Sequence, residues 1–358
     1  MGSIALVYLI KLFKKETEKE IFMAITLKSI AKAANVSITT ASLILNQKEG
    51  AIRFSEDTIR RVRETSLSLG YVPNMSARNL RQSESGNTSL TLAVLWPIDA
   101  RVGLIGRILT GIHHFTSSLE TITINLLVKT MNENGIQGVK ELYDPNLFNG
   151  AILANASVED EAYIHKVPPS VPIVLFSRTS PTYPYVWASY FETAKKVAEH
   201  FIENKHRRIV ILASNLSSQA LDQKLAGFVE ALDGKEYLIR HCSFTEESGY
   251  DAVAKLIEAG DVPTGLICVC DQTAMGALSA LHDRGIRVPD ECEVFGFDNQ
   301  SFSNFTIPKL STVNLPVEEM AYSAMELLVQ ENLDPNNLVR HKKFELEMIH
   351  RGTTKKLI

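Results

Sequence analysis

The chain of 358 residues is 45% hydrophobic and 22% charged, which gives enough apolar surface for two or three globular units and excludes disorder over most of its length. Its four cysteines, Cys242, Cys268, Cys270 and Cys292, all lie in or beside apolar runs of the second half. That placement excludes a disulfide framework and points to free thiols of a reducing, cytoplasmic compartment. No stretch approaches the ~20 apolar residues that span a bilayer, so no membrane partner is expected.

The net charge of -4 is unevenly spread. Residues 23–85 hold nine Lys/Arg against five Asp/Glu, residues 1–22 hold four against three, and the rest carries -9. A small basic unit joined to a larger acidic one suggests that only the first part meets a polyanion. At the start, Ile4 to Phe13 is apolar and is followed by Lys14, Lys15 and alternating Lys/Glu. A secretory signal has the opposite order and a small-residue cleavage site. Residues 1–22 therefore read as a dispensable helical extension, with Met23 an alternative start and a membrane-surface anchor the competing reading.

Three short helices are expected between residues 26 and 70. Thr26 is a good N-cap, and Leu27, Ile30, Ala31 and Ala34 recur at helical spacing. Asn35 suits the left-handed turn that follows. Ser37 caps a second helix, Ile38 to about Leu45, with Ala41, Ile44 and Leu45 inward and Ile38, Thr39, Ser42 and Leu43 outward. Two short helices joined by a tight turn form a helix-turn-helix, whose second helix enters the major groove. The third helix runs from a Ser55 cap to about Leu69; Ile59 and Val62 face the small core, while Arg60, Arg61 and Arg63 stay outside as candidate phosphate contacts. Pro73 interrupts this helix, and Asn74 can cap a further helix of about seven residues. That is below the ~12–15 residues needed for stability alone in water, so it needs a partner to form. Gln82 to Thr88 reads as a polar linker.

The strings "ITLKSIAKAANVSITTASLILNQ" and "YVPNMSARNL" resemble the headpiece and hinge of the lactose-repressor (LacI/GalR) family of transcription regulators. The resemblance continues through "HRRIVIL", "LAGFVEAL", "CDQTAMGALSALHDRGIRVPDECEVFGFDN" and "PKLSTVNLPVEEMAYSAMELL", nearly everything from Met23 onward. It implies a homodimer whose headpieces read a pseudo-palindromic operator in double-stranded DNA. It further implies hinge helices paired in the minor groove, with Leu80 as a wedge that unstacks a base step. The DNA-facing residues it implies are Thr26, Ser37, Ile38, Thr39, Thr40, Ser42, Leu43 and Asn46 in the headpiece, and Asn74, Ala77, Arg78 and Leu80 in the hinge. Leu43 departs from the family, which usually has a guanine-reading arginine after "TAS". Leucine can touch a thymine methyl but cannot make bidentate hydrogen bonds to guanine.

From Ser89 onward, apolar strands alternate with helices. Strands are expected at Leu90–Leu95, Thr121–Val128, Gly150–Leu153, Pro172–Phe176, Arg208–Ala213, Glu236–Arg240, Gly265–Cys270 and Glu293–Phe297. Continuous apolar strands separated by amphipathic helices predict an α/β fold with parallel sheets covered on both faces, here two doubly wound subdomains. The family architecture agrees: a periplasmic-binding-protein-like core with ligand in the cleft. Crossings between subdomains are expected near Trp187, Thr312 and Asn336. The domain plan is thus an extension (1–22), an all-α headpiece (23–72), hinge and linker (73–88), an effector-binding and dimerisation core (89–350) and a tail (351–358).

Open α/β sheets bind ligands beyond the carboxyl ends of their strands. That rule selects Trp96, Asp99, Lys224, Cys270, Asp271, Asp298 and Phe302 as effector contacts, and Ser218 stands where some relatives of the family carry an arginine. Lys224 replaces the family's usual arginine, so a point charge replaces a planar fork. Cys270-Asp271 replaces an Asn-Asp pair, and Ser189 stands where an aspartate is common. A sugar or sugar derivative is the family default for the effector; these departures keep a regulator controlled by a protein partner as an alternative, beside a soluble receptor with no DNA role. No GxGxxG, Walker loop, HExxH or GxSxG occurs. The adjacent His113 and His114 point to different helix faces and suit a metal poorly, and Cys268-x-Cys270 reads as buried thiols. No enzyme, metal or cofactor is expected. No leucine heptads follow Arg351, so a dimer is expected over a tetramer.

Overall fold

The computed structural model describes residues 27–45, 54–69, 88–97, 102–132, 135–144, 147–216, 218–333 and 341–355. The chain divides into two compact units, Met1–Asn74 and Met75–Ile358.

In the first unit, α1 (Leu27–Ala33), α2 (Ile38–Leu45) and α3 (Glu56–Leu69) pack on one another. Their core is Ile30, Ala31, Ala34, Ala41, Ile44 and Val62, with Val36, Leu45, Phe54 and Ile59 against it. The turn after α1 closes because Asn35 adopts φ 52°, a left-handed conformation that asparagine tolerates. Ser37 then caps α2, its Oγ accepting from the Thr40 amide at 2.9 Å. Ser55 caps α3 in the same way, accepting from the Thr58 amide at 3.3 Å. Each cap satisfies an amide that the first helical turn leaves without a partner.

The second unit is built on two parallel sheets. The first contains β1 (Thr88–Pro97), β2 (Ile122–Met131), β3 (Gly150–Ala154), β4 (Ile173–Phe176), β5 (Tyr185–Ala188) and β11 (His341–Phe344), in the order β11-β5-β4-β3-β1-β2. The second contains β6 (Ile209–Ser214), β7 (Tyr237–Cys242), β8 (Gly265–Cys268) and β9 (Glu293–Phe295), in the order β7-β6-β8-β9. The antiparallel pair β10 (Thr312–Asn314) and β12 (Glu347–Ile349) extends it, through single bridges from Phe295 to Ser311 and from Asp298 to Asn314. The helices are α4 (Val102–Ser117), α5 (Val158–Lys166), α6 (Tyr190–Glu203), α7 (Gln219–Ala231), α8 (Glu246–Glu258), α9 (Asp271–Asp283) and α10 (Val317–Leu333). Strands buried along their whole length, such as β3, β4, β6 and β8, read as unbroken apolar runs because helices cover both faces. Helices α8 and α9 pack closely because Gly276 has no side chain: a Cβ there would stand 1.8 Å from the Glu246 carbonyl oxygen.

The expected strands are present with shifted ends, and β5, β10, β11 and β12 join them. The chain crosses between subdomains at Ser189, between β10 and α10, and between β11 and β12. The first two crossings match the expected neighbourhoods of Trp187 and Thr312. The third falls at Glu345 and Leu346, not near Asn336, because β11 returns to the first sheet beside β5 before the chain leaves it. Residues 351–354 are not a tail. Thr353 is fully buried, its hydroxyl donates to the Val294 carbonyl at 2.7 Å, and its carbonyl accepts from the Val294 amide at 2.9 Å.

Candidate functional site

On α2, the side chains left outside the headpiece core lie where the periodicity puts them. Ile38 is 48% exposed, Thr39 is exposed, and Thr40, Ser42 and Leu43 are half-buried. This face combines three hydrogen-bonding hydroxyls with two aliphatic side chains. It carries no charge, and can take hydrogen bonds and thymine methyls from base edges but no bidentate guanine contact. Ser37 and Thr40 are engaged with each other, Oγ to Oγ1 at 2.8 Å, at the start of the helix.

Arg61 also ties the headpiece together. Its Nε donates to the Ala34 carbonyl at 3.0 Å, closing the end of α1, and Asp57 takes both Arg60 (2.6 Å) and Arg61 (3.2 Å). Arg60 and Arg61 remain largely exposed, with 69% and 47% of their side-chain surface open. Thr26, Asn46, Asn74, Ala77, Arg78, Leu80 and Asp99 lie outside the described residues.

In the second unit, a narrow cleft of about 50 Å³ lies where the carboxyl ends of the two sheets face each other. Five of the eight expected effector contacts line it: Trp96, Ser218, Lys224, Cys270 and Asp298. Lys224 and Asp298 dominate its chemistry. The Lys224 ammonium donates to the Val269 carbonyl at 3.0 Å, lies 3.5 Å from Asp298 Oδ1, and sits 4.0 Å over the Phe297 ring. Asp298 holds φ 101°, an uncommon backbone for a residue with a side chain. Its amide is tied to the Val313 carbonyl at 2.9 Å, and its carbonyl accepts from Arg107 at 2.7 Å. Burial pushes the Cys270 thiol up to about 12, so it stays protonated.

Two expected contacts belong elsewhere. Asp271 does not line the cleft. Its carboxyl turns inward, accepting from the Gln300 amide at 2.7 Å and from Thr312 Oγ1 at 2.6 Å. Burial, then the nearby Asp298 carboxylate, push it up to about 8; it braces the 298–300 turn instead of meeting ligand. Phe302 lines a second, outer cleft of about 730 Å³ with Arg107, Glu246 and Glu318, because the short 3₁₀ turn at Ser301–Asn304 carries it past the strand ends. Ser189 is also off the cleft. It joins the first and third crossings, its Oγ donating to Glu345 Oε2 at 2.7 Å and its amide to the Phe344 carbonyl at 2.9 Å.

The sequence reading missed Asn155, Ser177, Tyr190 and Gln272, which line the cleft too. The strand-end rule contained the signal for Asn155 and Ser177, which follow β3 and β4; both sit at positive φ, 53° and 59°. Several contacts bridge the two sides. Ser177 Oγ meets Tyr190 OH at 2.8 Å. Gln219 accepts from the Thr179 amide at 2.7 Å and donates to its hydroxyl at 2.9 Å.

Two family models match this chain. Residues 26–74 match bacterial regulatory proteins of the lacI family, and residues 198–354 match a periplasmic binding protein-like domain. The chain belongs to the lacI family. It is similar to the probable HTH-type transcriptional repressor ExuR of Bacillus subtilis (strain 168), 28% identical over 350 residues, covering 93% of this chain and 99% of that protein. Among solved structures it resembles a LacI family transcription regulator from Clostridium acetobutylicum, with a TM-score of 0.68, 25% identity, and coverage of 73% of this chain and 99% of that one. The structure of a transcriptional regulator CelR–cellobiose complex shares the fold, with a TM-score of 0.65 at 24% identity, covering 92% and 99% of the two chains. This lacI-family chain is therefore a DNA-binding transcriptional regulator of the repressor type, not an enzyme, and its macromolecular partner is operator DNA. Among the described residues no helix is long and apolar enough to cross a membrane.

Proposed function

We propose that this repressor binds a pseudo-palindromic operator as a cytoplasmic homodimer, and that a small molecule in the cleft of the α/β unit sets its operator affinity. The observation that carries this reading is the cleft itself: two sheets present their carboxyl ends to one space, lined by Trp96, Ser218, Lys224, Cys270 and Asp298. Base edges are read by Ile38, Thr39, Ser42 and Leu43, with Ser37 and Thr40 holding the start of α2. Hinge residues Asn74, Ala77, Arg78 and Leu80 engage the minor groove, as the family resemblance implies, and Thr26, Asn46 and Asp99 complete the two sites. The effector is a sugar or sugar derivative. The cleft's aromatic walls, Trp96, Phe176, Tyr190 and Phe244, beside hydroxyl and amide groups support that class, as does the cellobiose complex of a protein that shares the fold. The exposed Phe305 and Ile307, at 82% and 94%, supply apolar surface for the second copy. Domain boundaries follow the headpiece (23–72), hinge (73–88) and α/β core.

Coupling works by population shift. A ligand that prefers one cleft geometry biases how the subdomains are arranged, and with them whether the marginal hinge helices associate; DNA must alter ligand affinity by the same factor. The test is genome-wide footprinting of the bound protein, followed by calorimetry with the sugars that the neighbouring genes handle. Footprints whose occupancy responds to such a sugar support the reading. Footprints indifferent to every sugar, with no heat of binding, contradict it.

A further inference from the structure

Two charged side chains face the inner cleft among the described residues, Lys224 and Asp298, 93% and 94% buried by exposures of 7% and 6%. They lie 3.5 Å apart. Lys224 has two further partners, the Val269 carbonyl at 3.0 Å and the Phe297 ring at 4.0 Å. The ammonium is therefore already compensated by groups of this chain. Nearby Asp271 adds little charge at neutral pH, since its carboxyl is pushed up to about 8, and the Cys270 thiol is neutral. The described lining of the inner cleft thus sums to no net charge. The outer cleft, which shares Phe244 and Gln272 with the inner one, sets one cation, Arg107, against two carboxylates, Glu246 and Glu318. Arg107 is committed to Glu318 through paired contacts of 2.7 and 2.6 Å.

An anionic ligand entering such a site must lose its hydration while Lys224, the cation among the described lining residues, stays paired with Asp298. Desolvating a charge without a partner is strongly unfavourable. A neutral polyol meets no such penalty: its hydroxyls donate to Asp298 and accept from Lys224, and its apolar face lies on the aromatic walls. We infer that the Lys224–Asp298 pair makes this cleft select uncharged sugars and reject their uronate and phosphate-ester counterparts. The inference rests on the reading of the cleft as an effector site and narrows it by charge.

The experiment uses the full-length protein in calorimetry and thermal unfolding with matched sets: glucose, glucuronate and glucose 6-phosphate; galactose and galacturonate; ribose and ribose 5-phosphate. The wild type is expected to bind one or more neutral members and no anionic member. Asp298→Asn leaves Lys224 without its carboxylate, and is expected to bind an anionic member at least about tenfold tighter than the wild type does. Asparagine tolerates positive φ, so the turn is kept, and operator binding serves as the folding control. The double variant Lys224→Met with Asp298→Asn, neutral again, is expected to lose that gain. An anionic member that binds the wild type as well as its neutral parent overturns the inference while leaving the effector reading intact. Anion indifference of a folded Asp298→Asn variant that still binds neutral sugars does the same. Indifference of all the proteins to every member overturns both.

Discussion

In the headpiece, the side chains facing outward from α2 are hydroxyls and aliphatics, and the elements that aim them rest on a described core of Ile30, Ala31, Ala34, Ala41, Ile44 and Val62. In the α/β unit, the chemistry lies inside: Lys224, Asp271, Glu293 and Asp298 are all buried, and apolar side chains from several clusters surround them. The difference teaches where each unit is vulnerable. A small unit is set to fail by losing packing, while a large one can lose packing and stay folded but responds to charge.

Matched truncations test this most strongly. Ile44 and Ile211 are both fully buried, and Ile→Ala costs about 2–5 kcal/mol at such a site. A core in a unit below ~70–80 residues rarely supplies more than ~3–5 kcal/mol. Ile44→Ala is expected to unfold the headpiece and abolish operator binding, with the α/β unit's thermal transition unchanged. Ile211→Ala is expected to lower that transition and leave the protein folded at 25 °C. The check is calorimetric melting alongside a mobility-shift titration.

The buried carboxyls come next, and they pull in opposite directions. Glu293 accepts from His200 at 2.9 Å and Asn204 at 3.1 Å, with His206 at 3.2 Å. Burial pushes its carboxyl up, but His200 and His206 outweigh that and hold it at about 2. Its contribution to stability is therefore present above pH ~4.5 and lost as pH falls toward 2. Asp271 has the opposite sign. Raised to about 8, it binds a proton in the folded state that the unfolded chain has lost, so stability declines as pH rises from ~4 to 8. Urea midpoints across pH should show a shallower decline above pH 4 for Asp271→Asn, and a smaller acid-side loss for Glu293→Gln.

These contrasts also explain what could be read from the sequence. Helix-turn-helix geometry depends on neighbours three and four residues apart, so Asn35, Ser37, Ala41 and Ile44 were legible from spacing. The long apolar strands were legible because each is a continuous apolar run. β5, β10, β11 and β12 were not: they are three or four residues long, and β11 reads His-Lys-Lys-Phe, without an apolar run. Strand ends pointed to Lys224 and Asp298, but which carboxyl faces the cleft depends on pairings distant in sequence. Asp271 is turned inward by Thr312, 41 residues away. Arg61 lies outside as its spacing indicates, but no periodicity reveals its bond to Ala34, 27 residues earlier.

Two smaller effects sharpen the headpiece side. Ser37→Ala removes the cap of α2 and should cost about 1 kcal/mol, seen as a lower headpiece melting temperature with sequence preference unchanged. Leu43→Arg should leave stability within about 0.5 kcal/mol yet shift the preferred half-site toward guanine, a change that sequencing of selected duplexes detects.

The most direct test of the account is selection of binding sites by the purified protein from a pool of random duplexes, at low salt and in the presence or absence of candidate sugars. The account predicts enrichment of one pseudo-palindromic sequence whose half-sites change with Leu43→Arg. A pool that returns no preferred sequence under any of these conditions would contradict it.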